Sequence, residues 1–156
     1  MHNLLQMYLH DMTEFAPGAV DAEGIFQYKP FDAYWTEPDR YPFFIRVDGS
    51  PAGFALIRLD EDGRNDMSEF FVMKGYRRSG VGSVAAKRLF DRFPGDWQVR
   101  QEPSNTAAQR FWRNVITRYT GGDFHDLVLD DDRWKGPAQR FHSVGATTVV
   151  HCSKEA

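Results

Sequence analysis

The sequence predicts one α/β domain built on a mixed sheet, mostly antiparallel but with a single parallel βαβ unit. Three features carry this expectation. Apolar runs at 43–47 and 52–57 flank Asp48-Gly49, a dipeptide suited to the positive φ angles of a type I′ turn, so they predict an antiparallel hairpin. The apolar run Phe70-Phe71-Val72-Met73 leads into a glycine-containing turn, Arg77-Arg78-Ser79-Gly80-Val81-Gly82-Ser83, which opens an amphipathic segment over 84–93. Pro94-Gly95 ends that segment, and 97–101 then reads as a strand parallel to the one before the helix.

The other elements follow in chain order. Leu4, Leu5, Tyr8, Met12 and Phe15 recur every three or four residues and place one apolar stripe on a helix that begins almost at Met1 and ends at Pro17-Gly18. The aromatic cluster at 31–35 is a second helix or a turn, followed by Pro38 and Pro42. After the hairpin, the polar, acidic stretch 60–66 makes a second connection and returns the chain into a third strand over 67–73. Beyond the parallel strand, Ser104 or Asn105 caps a helix whose apolar face is Ala108, Phe111, Trp112 and Val115 or Ile116. Further strands are expected through Tyr119, at 124–129 and at 139–144, with Gly136-Pro137 in the connection and a frayed tail at 154–156.

Composition narrows the function classes. The 156 residues, 42% hydrophobic and 15% aromatic, suffice for one sizeable core, so residues 1–156 read as a single domain. A formal net charge of −3 carries no overall footprint for nucleic acid, although local arginines can still bind a small anion. The single cysteine, Cys152, excludes an intrachain disulfide framework and fits a reducing compartment, so a cytoplasmic protein is expected. No apolar run approaches the roughly 20 residues of a membrane span, and the N-terminus lacks the features of a signal peptide. The five histidines show no His-Glu-x-x-His spacing and there is no Gly-x-Ser-x-Gly elbow, which argues against a metal site and against a serine hydrolase.

The turn at 77–83 points to chemistry. Glycines let a backbone come close to a ligand, successive N–H groups form an anion-binding nest, and a helix N-terminus adds a positive dipole end. Arg77 and Arg78 add full charge at the same place, which favours a pyrophosphate. A Walker A loop needs Gly-Lys followed by Ser or Thr, and here Gly82 is followed by Ser83 and Val84. Gly80, Gly82 and Ala85 satisfy the dinucleotide fingerprint, with Glu102 about 20 residues on as a ribose-binding acid. Against it, 74–79 separate the strand from the first glycine, and only 74 residues remain after Gly82 for the rest of such a sheet. The blandest alternative is a Gly-rich turn that merely starts a helix.

The spacing Arg-x-x-Gly-x-Gly after a strand resembles the acetyl-CoA signature of the GNAT acetyltransferase superfamily, and the order of elements over about 42–116 is similar to that family's core. Glu69-Phe70-Phe71-Val72-Met73, Tyr76-Arg77 and Gly80-Val81-Gly82-Ser83 are locally similar to the matching segment of polyamine N-acetyltransferases. The resemblance implies a GNAT-like acyl-CoA N-acyltransferase fold and acetyl-CoA as co-substrate. It implies that backbone groups of Phe71, Val72 and Met73 pair with the pantetheine arm as an added strand does, and that Arg77, Arg78, Ser79, Gly80, Val81, Gly82 and Ser83 hold the pyrophosphate. Asn105 matches an asparagine that contacts the cofactor arm in the family; a helix cap is an equally good role for it.

Two departures stand out. Family members begin with a strand before the first helix, and here Met1 is already at the helix: either an edge strand is missing or the start is placed late, and an incomplete edge invites pairing with a second copy. The family helix often carries a tyrosine seven residues after the asparagine as general acid, and here that position is Trp112, whose indole has no usable acidity. Tyr119 and Tyr76 are substitutes by sequence proximity, and solvent is another, since a thiol pKa near 8.5 makes coenzyme A a tolerable leaving group.

The expected activity is N-acetyl transfer from acetyl-CoA to a primary amine of a small molecule or to an exposed protein amino group, by direct attack in a ternary complex. An amine with a pKa of about 10.4 must lose a proton before attack, and Glu69, two residues before Phe71 and so on its face of the strand, is the candidate base. A charged residue on a solvated face or a structural ion pair is the other reading of Glu69. Tyr28, Phe31, Tyr34 and Trp35, with Asp32 among them, fall where the family places its acceptor segment, though core packing of these aromatics is favoured. Rival readings are an acyl-CoA-binding or sensing module without turnover and a nicotinamide-dependent oxidoreductase. Neither nucleic acid nor membrane is expected as a partner.

Overall fold

A computed structural model describes residues 1–146, so Cys152, His151 and the tail at 154–156 lie outside the described residues. The apolar stripe of the first residues forms α1 (His2–Met12), and the aromatic cluster contributes only a four-residue helix, α2 (Ala33–Thr36). Asp48 (φ 48°) and Gly49 (φ 79°) adopt the two positive φ angles of a type I′ turn between β1 (Arg40–Val47) and β2 (Ser50–Leu59), with Val47 opposite Ser50. β3 (Asn65–Val72) returns antiparallel, α3 (Val81–Arg92) crosses over, and β4 (Gly95–Arg100) lies parallel to β3. α4 (Thr106–Thr120), β5 (His125–Asp130) and β6 (Lys135–Ser143) complete a six-stranded sheet of order β1-β2-β3-β4-β6-β5, with only the β3–β4 pair parallel. No strand precedes α1 among the described residues.

Three expectations about the C-terminal third are corrected. Tyr119 is the penultimate residue of α4, because its ring continues the apolar stripe of the helix onto Phe90 and Phe141. Gly136 and Pro137 belong to β6, opposite Leu129 and Val128, rather than to a connection. β6 accordingly starts earlier than 139 and ends at Ser143, where the Ser143 hydroxyl donates to the Phe90 carbonyl at 2.7 Å.

Alternation along β2 distributes the core to both faces of the sheet. Phe54 and Leu56 join Leu5, Tyr34 and Phe71 under α1 and α2, whereas Ala55 and Ile57 join Met67, Phe90, Trp97 and Trp112 under α3 and α4. All four β2 residues are fully buried. β3 does not alternate uniformly, because Leu56 faces Glu69 and Ile57 faces Met67, so Ser68 is a bulge. Met67 and Phe70 therefore share the α3/α4 face while Asp66, Glu69 and Phe71 share the other.

The parallel pair is short, and this shapes the site. β3 pairs with β2 as far as Val72, but with β4 only at Asn65, Asp66 and Met67. Past Met67 the two strands part. β4 stays with β6, so β3 from Ser68 to Val72 has a free edge on that side among the described residues. None of the described helices is long and apolar enough to cross a membrane.

Candidate active site

Where β3 and β4 part, a cavity of about 620 Å³ runs from the C-terminal end of α1, between the strands, to α4. Its walls include Tyr8, Tyr28, Glu69, Arg100, Asn105 and Trp112. Glu69 faces into it from the α1 side, on the face it shares with Phe71, as alternation predicts for these two residues. Tyr28 Oη donates to Glu69 Oε1 at 2.8 Å, and Tyr8 Oη donates to Glu69 Oε2. Burial pushes the Glu69 carboxyl above its ordinary value, although the two phenols and the positive charge of Arg100 pull the other way. Burial and the Glu69 charge push both phenols up as well, so Tyr8 and Tyr28 remain protonated donors.

Sequence reasoning put Tyr8 only in an apolar stripe. It does belong there, with its ring edge-on to Phe54 at 5.8 Å, but its hydroxyl emerges at the carboxylate. No sequence signal marks this, since a tyrosine on an amphipathic helix is ordinary and Glu69 lies 61 residues away. Of the proposed acceptor aromatics, Tyr28 and Tyr34 line the cavity, while Phe31 and Trp35 pack on each other at 4.7 Å outside it. Asp32 is also outside.

Backbone direction can be read along β3. Met73 N–H donates to the Ala52 carbonyl at 2.9 Å, so by antiparallel alternation Met73, Phe71 and Glu69 direct their backbone groups at β2. Phe70 and Val72 direct theirs into the cleft. The Val72 carbonyl is already occupied by Arg77 Nε at 2.6 Å. Of the three strand residues implied by the family resemblance, Val72 thus offers its N–H to the cleft, and Phe70 offers another.

The turn has the geometry of an anion cradle. Arg78 (φ 63°) and Gly80 (φ 88°) are left-handed, and the first bond of α3 runs from Val84 N–H to the Gly80 carbonyl. The backbone N–H groups of Arg78, Ser79, Gly80, Val81, Gly82 and Ser83 therefore have no acceptor among the described residues. Gly82 packs within reach of the Phe111 ring of α4, and Ser79 Oγ donates to the Tyr76 carbonyl. The arginines divide. Arg78 is exposed, whereas Arg77 bonds Val72 and pairs with Asp11 of α1 at 2.9 Å. The side chain of Arg77 ties α1 to the turn, a role its position beside glycines does not reveal.

On the α4 side, Asn105 Oδ1 accepts from Ala108 N–H at 3.0 Å, which is the helix-cap role. Asn105→Ala is expected to cost about 1 kcal/mol of stability. Asn105→Asp, which keeps a capping oxygen, should leave the thermal midpoint near that of the parent; calorimetric scans of the three proteins check this. Trp112 is 5% exposed and edge-on to Phe70 at 5.0 Å, a core residue at the cavity wall. Neither substitute phenol reaches the cavity. Tyr119 is bonded to Asp91 and Ser143 behind α3, and Tyr76 packs with Ile45, Ala52 and Val72.

The comparisons with known proteins agree with this architecture. The family model of the acetyltransferase (GNAT) family matches residues 2–115. No curated protein matches the sequence. Among solved structures, an acetyltransferase from Thermus thermophilus superposes with a TM-score of 0.67 at 13% identity, over 90% of each chain. A GNAT-family acetyltransferase from Staphylococcus aureus gives 0.62 at 12% identity, over 90% of this chain and 92% of that one. The ribosomal-protein-S18-alanine N-acetyltransferase of Escherichia coli gives 0.54 at 18% identity, over 96% and 93%. With the family model covering most of its length and a splayed β3–β4 pair beside an open anion cradle, the chain belongs to the GNAT acetyltransferase family, an N-acetyltransferase with acetyl-CoA as co-substrate.

Proposed function

We propose that the chain transfers the acetyl group directly to a primary amine, of a small molecule or of an exposed protein amino group, within a ternary complex in which Glu69 takes the amine's proton. The observation that carries this reading is that a carboxylate held by two phenols stands at the splay of β3 and β4, beside a free strand edge. Bound acetyl-CoA supplies a thioester carbonyl for the amine to attack and a thiolate as leaving group. The N–H groups of Phe70 and Val72 are suited to pair with an extended arm laid along β3 and to donate to an oxyanion. The open N–H groups of the turn, from Arg78 to Ser83, are suited to the pyrophosphate.

Glu69 is a better base than an ordinary surface carboxylate because burial raises its proton affinity, and Tyr8 and Tyr28 keep its two oxygens oriented. Much of the rate comes from holding both reactants in one cleft. Trp112 lends no proton to the thiolate, Tyr76 and Tyr119 lie outside the cavity, Tyr8 and Tyr28 are engaged with Glu69, and Tyr34 is buried beneath Arg40, which favours solvent as the proton source.

Thermal unfolding with acetyl-CoA, and with NAD as control, tests the cofactor site. A ligand at about 100 times its Kd should add roughly 2.7 kcal/mol, and acetyl-CoA alone is expected to do so. A shift with NAD only would favour the oxidoreductase reading. Acetyl-CoA binding without thiol release across primary amines would favour the non-catalytic module.

A further inference from the structure

The cavity has a second charged wall that acetyl transfer itself does not use. Arg40, Arg58 and Arg100 all line it, on three different strands. Arg58 Nε and Arg100 Nη2 donate to the same oxygen, Oδ2 of the fully buried Asp66, at 3.1 and 2.8 Å. Neither guanidinium makes another hydrogen bond among the described residues, and Arg100 Nε is buried with no partner at all. One carboxylate therefore serves two guanidiniums, and their remaining N–H donors have no acceptor among the described residues. The neighbouring acids do not bond them: Asp60 and Asp62 pair with Arg64 and Arg133, and the Asp131 carboxylate accepts the backbone N–H groups of Arg133 and Trp134.

A third arginine stands beside them. Arg40 stands directly opposite Arg58 in the β1–β2 register, an arrangement that is destabilising unless something else is gained. Arg40 is held by Glu37 at 2.5 Å and lies over the Tyr34 ring. The acids of the cavity, Glu69 and Glu102, both act on Tyr8. The cavity thus holds both signs of charge, and the charge of Arg100 also acts on Glu69.

Leu56 faces Glu69 and Arg58 faces Asp66, so the backbone rows that carry Glu69 and Arg58 are two residues apart on β2, about 7 Å along a strand. Both side chains project into one cavity, where they can engage two charged groups carried on a single carbon.

We infer that the acceptor is zwitterionic: a free α-amino acid whose amino group meets Glu69 and whose carboxylate meets the open N–H donors of Arg58 and Arg100. This rests on the reading of Glu69 as the acceptor end of the site. The part of the wall formed by Leu9, Met12 and Phe26 suits an apolar side chain. In the reaction the α-ammonium gives one proton to Glu69, the neutral nitrogen attacks and forms the amide bond, the carbon–sulfur bond of the thioester breaks, and the nitrogen's second proton passes through solvent to the departing thiolate. The carboxylate is not consumed; it positions the nitrogen.

The test compares thiol release from acetyl-CoA with L-phenylalanine, L-leucine and L-methionine as acceptors. Each is set against its α-carboxamide and against the amine lacking the carboxyl group: 2-phenylethylamine, 3-methylbutylamine and 3-(methylthio)propylamine. For at least one set, kcat/KM for the acid should exceed that for amide and amine by about tenfold or more, because a site that pairs a charged group rejects the analogue lacking it. Arg58→Met, which leaves the donors of Arg100 in place, should shrink the preference for acid over amine; an unchanged preference overturns the inference. Equal or better use of the amides or amines overturns the inference and leaves acetyl transfer intact. If no acceptor gives thiol release, calorimetric titration of the CoA-loaded protein decides: acid bound and amine not supports the inference, and no acid bound overturns it. Failure of acetyl-CoA to bind at all would overturn the underlying reading of the site, and with it this inference.

Discussion

Glu69→Gln is expected to lower acetyl transfer by about 10² to 10⁴-fold, the usual contribution of a positioned base, with acetyl-CoA binding retained. The amide preserves shape and can still meet one phenol, but it cannot accept the proton that the attacking nitrogen must lose. The pH dependence separates loss of a base from loss of a fold. Burial raises the Glu69 pKa, so kcat/KM of the parent should climb as pH rises through that raised value, and the Gln variant should lack this limb. The stability effect has the opposite sign. A carboxyl whose folded pKa is raised binds its proton more tightly in the folded state, so its contribution is full below the ordinary carboxyl pKa of about 4.3 and is lost as pH rises through the raised one. At neutral pH the Gln variant should unfold at or above the midpoint of the parent. Unchanged turnover, with the limb still present, would remove Glu69 from the mechanism.

Gly53→Ala is expected to be the most damaging substitution for stability outside the large core side chains. An added Cβ would lie 2.0 Å from the Phe71 carbonyl oxygen and 3.0 Å from the Val72 Cα, and these are backbone atoms of the paired strand that no rotamer change can move aside. Overpacking costs about 1–3 kcal/mol when side chains can yield, so about 3 kcal/mol or more is expected here. For a domain of this size that is a fall of roughly 6–12 °C in the thermal midpoint. Displacing Phe71 and Val72 also shifts the free edge of β3, so acetyl-CoA should stabilise the variant less than the parent. Gly75→Ala is the control, because nothing lies within 4 Å of its added Cβ and its φ is not left-handed. A Gly53→Ala protein as stable as that control would show that β2 and β3 can separate without penalty.

Gly53 shows why some of the site is invisible in the sequence. A glycine inside an apolar run reads as a weak point in a strand, and only the approach of β3 explains it. The same holds for Ser68. Strict alternation from Glu69 would put Met67 beside it, but the bulge sends Met67 to the α3/α4 face. Arg77 reads as a pyrophosphate ligand because it adjoins a glycine turn, and nothing local reveals that Asp11, on α1, pairs with its side chain. In each case the deciding partner lies far along the chain, and local periodicity carries no information about it.

What the sequence determined by itself is what neighbouring residues control. Asp48-Gly49 dictates its hairpin through backbone sterics, the spacing of Leu4, Leu5, Tyr8 and Met12 dictates α1, and strand, glycine turn and helix in succession dictate the cradle of open N–H groups. These depend on contacts a few residues apart. Tertiary structure decided the chemistry of the site: that β4 leaves β3 after Met67, that Tyr8 and Tyr28 converge on Glu69 from 61 and 41 residues away, and that Arg58 and Arg100 share one buried Asp66. A carboxylate's proton affinity and an arginine's unmatched donors depend on burial and on the groups around them, and both exist only once the strands have been brought together.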